Sequence, residues 1–145
     1  MDNKDNDALK LQNQLCFPLY AASREVTKLY RPYLDNINLT YTQYITMMVL
    51  WECRECSVKT LGERLYLDSG TLTPVVKSLE AKGFVRRCRS REDERVLLVR
   101  LTGEGEALKK RAAVVPEKIS ACVRLTPDEA LTLYNLLYKL LESME

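Results

Sequence analysis

The spacing of apolar residues changes abruptly at Phe84, and that change constrains the architecture more than any other feature of the chain. Before it, apolar residues recur at helical intervals of three and four. After it, Phe84 to Cys88 and Val96 to Leu101 read as two strands joined by the stretch Arg89 to Arg95. Two short helices lead into this hairpin. Ser57 is placed to cap a helix from Val58 to Leu65, with Val58, Leu61 and Leu65 on one face. After a turn at Tyr66-Leu67-Asp68, Asp68 and Ser69 open a further helix that turns Leu72, Val75, Val76 and Leu79 inward, and Gly83 is its C-terminal stop. Pro74 is expected in or near the first turn of that helix, where a missing N–H does no harm. Helix, turn, helix and a two-stranded hairpin, in that order, describe a winged helix-turn-helix, whose second short helix enters the major groove of DNA.

The flanking segments are helical. Leu15, Leu19, Ala22, Val26 and Leu29 mark an amphipathic helix from about residue 9 to 31, stopped by Pro32. Pro18 falls in its first turns, so the helix is expected to kink beside Cys16 or to begin near Phe17. Thr40 caps Tyr41 to Glu52. Thr102 caps a helix to about Val123, interrupted at Pro116, and Thr126-Pro127-Asp128-Glu129 opens the last helix. There Ala130, Tyr134, Leu137, Leu141 and Met144 form one stripe, which Leu133, Leu136 and Leu140 widen beyond the needs of one small core. A second copy of the chain is the simplest cover for it. The expected fold is mainly α with a small β-wing, a single domain over residues 1–145. About 1–40 and 103–145 would serve as dimerisation helices and about 41–102 as the winged helix-turn-helix core. No apolar run reaches the length of a membrane span, and the acidic N-terminus is unlike a signal peptide, so a cytoplasmic protein without membrane contact is expected.

With net charge only +2, the distribution of charge has to carry any argument about nucleic acid. Residues 77–100 hold eight Lys/Arg against four acids, a local net of +4 that leaves −2 elsewhere. The positive charge therefore sits on the expected reading helix and wing, as a phosphate-binding surface requires. Ser69, Thr71, Thr73, Lys77 and Ser78 are left facing outward on the helix, whose N-terminus itself favours a phosphate. Arg86, Arg89, Arg91 and Arg95 populate the wing, where arginine suits a narrow minor groove.

The chain has no histidine, which removes imidazole bases, Ser/His and Cys/His nucleophile pairs and histidine-containing zinc sites. No catalytic residues, metal or cofactor are expected. Its five cysteines, at 16, 53, 56, 88 and 122, are odd in number and lack the spacing of a disulfide framework. Cys53-x-x-Cys56 could be half a zinc site or a redox pair, but an all-cysteine site needs a second close pair, which is missing. Cys53, Cys56 and Cys88 are read as bystanders.

Four stretches together resemble the MarR family: Gln14-Leu15-Cys16-Phe17, Tyr41-Thr42-Gln43-Tyr44, Leu65-Tyr66-Leu67-Asp68-Ser69-Gly70-Thr71-Leu72-Thr73-Pro74 and Asp93-Glu94-Arg95. They are most similar to its organic hydroperoxide-sensing branch, over almost the whole chain. The resemblance implies a homodimeric repressor of a pseudo-palindromic operator, released when Cys16 is oxidised by organic hydroperoxides. It also implies that Tyr30 and Tyr41 hydrogen-bond the reactive sulfur, that Asp93 and Arg95 belong to the wing motif, and that Cys122 is near the position of a resolving thiol. A low-molecular-weight thiol could resolve Cys16 instead. Cys16 and Tyr30 are 14 residues apart, roughly 21 Å along a straight helix, so a meeting has to cross a dimer interface. Two other readings compete: a MarR-type regulator released by a small aromatic or phenolic ligand, and a thiol oxidoreductase or metal protein using Cys53 and Cys56.

Overall fold

The computed structural model describes residues 7–145. It divides into two compact units, one reaching Val115 and the other spanning Pro116–Glu145. In chain order the elements are α1 (Cys16–Asp35), α2 (Tyr41–Cys53), β1 (Glu55–Ser57), α3 (Val58–Leu65), α4 (Ser69–Ala81), β2 (Val85–Arg89), β3 (Leu97–Leu101), α5 (Gly103–Ala112), α6 (Val115–Cys122) and α7 (Pro127–Glu142), preceded by a 3-10 turn at Leu11–Asn13. Helix, turn and helix are α3 and α4; the wing is β2 and β3.

The helix starts follow side-chain chemistry. Thr40 Oγ1 accepts from the Gln43 N–H while the Gln43 side chain accepts from the Thr40 N–H, and Thr126 and Glu129 repeat the arrangement at α7. Ser57, Asp68 and Thr102 cap α3, α4 and α5 through the N–H groups of Thr60, Thr71 and Gly105. Gly83, at φ 84°, ends α4 in the left-handed region.

Proline bears out one expectation and overturns three. Helix α1 begins at Cys16, beside the start near Phe17 expected as the alternative to a kink, which makes Pro18 its third residue. The first four N–H groups of a helix have no partner within it, so Pro18 deletes nothing there and no kink is needed. Pro32 does not stop α1, which continues to Asp35. One lost hydrogen bond at Pro32 is outweighed because the chain beyond it buries Leu34, Ile37 and Leu39. Pro74 is the sixth residue of α4, past the first turn, and α4 runs through it because Leu72, Val76 and Leu79 on the same helix are fully buried. The break expected at Pro116 falls earlier, at Ala113 and Val114, with Pro116 the second residue of α6.

The sheet has three strands in the order β1-β3-β2, all antiparallel, where only two were expected. Strand β1 pairs Glu55, Cys56 and Ser57 with Arg100, Val99 and Leu98. On the other edge β2 pairs Val85 to Arg89 with Leu101 to Leu97. The sheet, α2, α3 and α4 enclose Tyr44, Met47, Leu50, Leu61, Leu72, Val76, Leu79, Val85 and Val99. Helix α5 closes on α2 through Gly105: a Cβ there would stand 2.2 Å from the Phe84 carbonyl oxygen, and the Gly105 carbonyl accepts from Trp51 Nε1 at 2.9 Å. Gly62 does the same for the helix-turn-helix, since a Cβ would meet the Leu67 oxygen at 2.6 Å. No helix among the described residues is long and apolar enough to cross a membrane.

Candidate DNA interface and thiol site

Helix α4 presents Ser69, Thr71 and Lys77 to solvent, and Thr73 is half-buried with its hydroxyl donated to the Ser69 carbonyl at 2.7 Å. Ser78, expected to face DNA, is instead held in the fold. Gln43 Nε2 donates to Ser78 Oγ at 2.9 Å, and Lys82 Nζ donates to Gln43 Oε1 at 2.9 Å and to the Asn38 carbonyl at 2.7 Å. This chain of contacts braces the reading helix against the start of α2 and the turn that follows α1. The helix N-terminus is likewise less open than expected. Asp68 Oδ1 accepts the Thr71 N–H at 2.7 Å, and that bond holds its carboxyl below the usual range, leaving a negative charge where a phosphate would have to approach. The side chains exposed at this end of α4 are Ser69 and Thr71.

The basic stretch sorts into three sets. Arg87 is bound to Glu80 of α4, its N–H donating at 2.8 Å and its Nε at 3.0 Å; Arg100 donates to Glu55 of β1 at 2.5 Å; Lys82 is the brace just described. These cations tie the wing and the reading helix to the body. Lys77, Arg86, Arg89 and Arg91 are exposed and form no ion pair among the described residues, so they are free to meet phosphates. Arg95 is a third case. Its N–H and Nε donate to Asp93 Oδ1 at 3.0 and 3.1 Å and its Nη2 to Oδ2 at 3.3 Å, while the side chain is 91% exposed. Asp93 thus fixes the direction of an arginine at the wing tip without covering it, and the arginine in turn holds the Asp93 carboxyl below its usual range. The tip is closed by the Ser90 N–H on the Val96 carbonyl and the Val96 N–H on the Asp93 carbonyl.

At the other site, Tyr30 of α1 and Tyr41 of α2 are in edge contact, ring centroids 4.9 Å apart. Tyr44, which the sequence reading passed over, completes the group at 5.8 Å from Tyr30 and 6.4 Å from Tyr41; its signal was the Tyr41-x-x-Tyr44 spacing, which puts both rings on one face of α2. Burial pushes all three phenols up from their ordinary value, with the neighbouring rings adding to the shift at Tyr30 and Tyr44. They are therefore protonated O–H donors throughout the neutral range. Cys16 is not beside them. It is exposed at the first residue of α1, while Tyr30 lies on the same helix, about 21 Å along its axis. Cys122, the last residue of α6, is exposed in the second unit. No group of three or more potential metal ligands exists among the described residues.

Residues 28–112 match the family model described as transcriptional regulator SarA/Rot. The chain is 49% identical to the organic hydroperoxide resistance transcriptional regulator of Bacillus subtilis, over 99% of this chain and 97% of that protein. It belongs to the MarR/SarA family of transcriptional regulators. Within the family it falls on the organic hydroperoxide regulator branch. Among solved structures, this regulator is similar to reduced AbfR bound to DNA, at TM-score 0.78, 33% identity and coverage of 99% and 100% of the two chains. Overoxidised AbfR bound to DNA gives 0.77 at 35% identity, covering 97% and 99%. AbfR is a protein of Staphylococcus epidermidis. A cysteine mutant of MarR from E. coli complexed with operator DNA gives 0.80 at 28% identity, covering 88% and 93%. These regulators are winged-helix DNA-binding proteins, which places the chain outside the enzyme classes.

Proposed function

We propose that this regulator is a cytoplasmic homodimeric repressor that releases a pseudo-palindromic operator when Cys16 is oxidised by an organic hydroperoxide. Residues 1–145 act as one functional domain, with about 1–40 and 103–145 as the dimerisation helices and about 41–102 as the reading core. The observation that carries the proposal is the placement of the phenols: Tyr30 and Tyr41 form a half-buried donor pair toward the far end of the helix that Cys16 begins. Antiparallel pairing of two α1 helices brings each Cys16 to the other subunit's tyrosines. The exposed Leu15, Phe17, Leu19, Val26 and Leu29 supply the apolar surface for that pairing. The name of the Bacillus relative, an organic hydroperoxide resistance regulator, and the existence of a disulfide-formed AbfR beside the reduced one support a thiol as the sensor.

In the proposed step the Cys16 thiolate attacks the peroxide, forming a sulfenic acid and an alcohol while the tyrosine O–H groups stabilise the sulfur anion. Cys122 or a low-molecular-weight thiol then displaces water to give a disulfide. DNA is held by Ser69, Thr71, Thr73 and Lys77 of the reading helix and by Arg86, Arg89, Arg91 and the Asp93-oriented Arg95 of the wing. A differential affinity of only a few kcal/mol between the two states suffices for release.

The test uses a duplex selected from a random pool by the reduced protein. Cumene hydroperoxide should release it from the native chain and not from Cys16→Ser. Release of the duplex from the serine variant overturns the assignment. Intact mass without reductant separates the two resolving routes: a covalent dimer lost in Cys122→Ser identifies Cys122, and a monomer carrying a small thiol identifies the other.

A further inference from the structure

A second pair of thiols lies in the reading core, away from the Cys16 helix. Cys53 is the last residue of α2 and is exposed; Cys56, three residues on, is the central residue of β1, half-buried, with its thiol in interaction range of Cys53. The guanidinium of Arg64 on α3, itself held by Glu52 at 2.6 Å, faces both sulfurs. Two residues connect the pair. Arg54, at φ 62°, donates its N–H to the Leu50 carbonyl at 2.8 Å and accepts the Leu101 N–H at 2.8 Å, so the connection is anchored to α2 on one side and to the end of β3 on the other.

We propose that Cys53 and Cys56 form a second oxidant-responsive site, which closes to an intrachain disulfide and loosens β1, the strand that pairs with the wing strand β3. The oxidant is an organic hydroperoxide, and the exposed Cys53 sulfur is the one it reaches. Sulfur attacks the peroxide oxygen, an S–O bond forms as the O–O bond breaks, and the departing alkoxide takes a proton to become an alcohol. The Cys56 sulfur then displaces the hydroxyl from Cys53, and its proton leaves with that hydroxyl as water. Two electrons pass from the two sulfurs to one peroxide. Burial, first, and the hydrogen bond to Cys53 push the Cys56 thiol up to about 12, so it keeps its proton until that second step.

Closure has a structural consequence because the two sulfurs, unbonded in the free thiols, have to reach a bond of about 2.05 Å. Cys53 is held by the last turn of α2 and the Arg54 connection is pinned at both ends. The movement falls on β1, which holds β3 through three residue pairs where β2 holds it through five. Glu55, the partner of Arg100, and Ser57, the cap of α3, lie on either side of Cys56 and move with it.

A chain with Cys16, Cys88 and Cys122 all changed to Ser isolates the pair, and the result is independent of the role proposed for Cys16. After cumene hydroperoxide and alkylation, its unreduced mass should fall by about 2 Da with no alkyl label, reversibly with dithiothreitol. Hydrogen exchange at residues 55–57 should then rise severalfold. Two alkyl labels, oxygen adducts or a disulfide dimer in place of the intrachain bond overturn the site. A disulfide that leaves exchange at β1 unchanged overturns the link to the wing. Differential alkylation and peptide mapping of the native chain reads the same bond with no substitution, should the serine variant fold poorly.

Discussion

The reading core and the helices at the two ends of the chain are built from the same helical periodicity and equally good caps, yet they differ in cover. Between Tyr41 and Leu101 most apolar positions are enclosed within one chain, with Met47, Leu50, Leu61, Leu72, Leu79 and Val99 fully buried. At the ends, Leu15 is 81% exposed, and Leu131, Leu133, Tyr134, Leu136, Tyr138 and Leu140 of α7 are all exposed. The capping box that starts α2 recurs at α7, so local helix formation is not the distinction. What separates the regions is whether the apolar face has found a partner within the chain, and it is the ends whose faces the proposed dimer would cover.

The largest effect that sharpens this contrast is expected at Gly105. In Gly105→Ala the new methyl meets backbone at Phe84, which cannot swing aside as a side chain can, and about 3 kcal/mol of stability should be lost. Gly103→Ala, two residues earlier with open space around it, is the control and should be nearly neutral. Urea unfolding checks both. The loss at Gly105 should be the same at every protein concentration, because the packing it breaks lies within one chain. Next in size is Leu136→Glu on α7. It should weaken the proposed self-association by about 30-fold, roughly 2 kcal/mol, in sedimentation equilibrium while leaving the helical circular dichroism intact. An undiminished dimer would break the comparison at the C-terminal end.

A smaller effect tests the sorting of cations within the core. Arg95→Ala should cost about tenfold in operator affinity and lower the slope of log affinity against log salt by about one. Asp93→Ala removes the partner but not the cation, so affinity should fall less and the salt slope should stay near its original value. Fluorescence anisotropy across a salt series reads both quantities.

These differences also mark what was legible in the sequence. Thr40, Ser57, Asp68, Thr102 and Thr126 were all read as caps and all cap, because a cap is chemistry between residues three apart. The end of α1 and the place of Pro74 were misread because a proline's cost is local, whereas the burial of Leu34 or Val76 that outweighs it is decided by distant parts of the chain. Strand β1 is three residues long and exists through its pairing with β3, so no period within it could announce it. Ser78 looked free for the same reason: its partner Gln43 is 35 residues away. Tyr30 and Tyr41 were singled out through family resemblance as partners of a sulfur, not of each other, and their ring contact and the place of Tyr44 beside them join residues of two helices, which no spacing within one helix announces.

The smallest predicted effect concerns how the core holds its wing. Glu80 of α4 accepts the Arg87 N–H and, through its other oxygen, the Arg87 guanidinium, and these bonds hold its carboxyl below the ordinary range. A carboxylate whose pKa is lower in the folded state than in the unfolded chain adds stability above its unfolded value, near 4.3, and loses it as pH falls through the depressed folded value. The native chain should therefore lose stability in acid from about pH 4 downward. Glu80→Gln keeps an acceptor for the Arg87 N–H but no titrating group, so its stability should fall more gently over the same window. Chemical unfolding at a series of pH values compares the two chains. An acid limb of equal steepness in native and Glu80→Gln protein would remove this contact from the forces that join reading helix to wing.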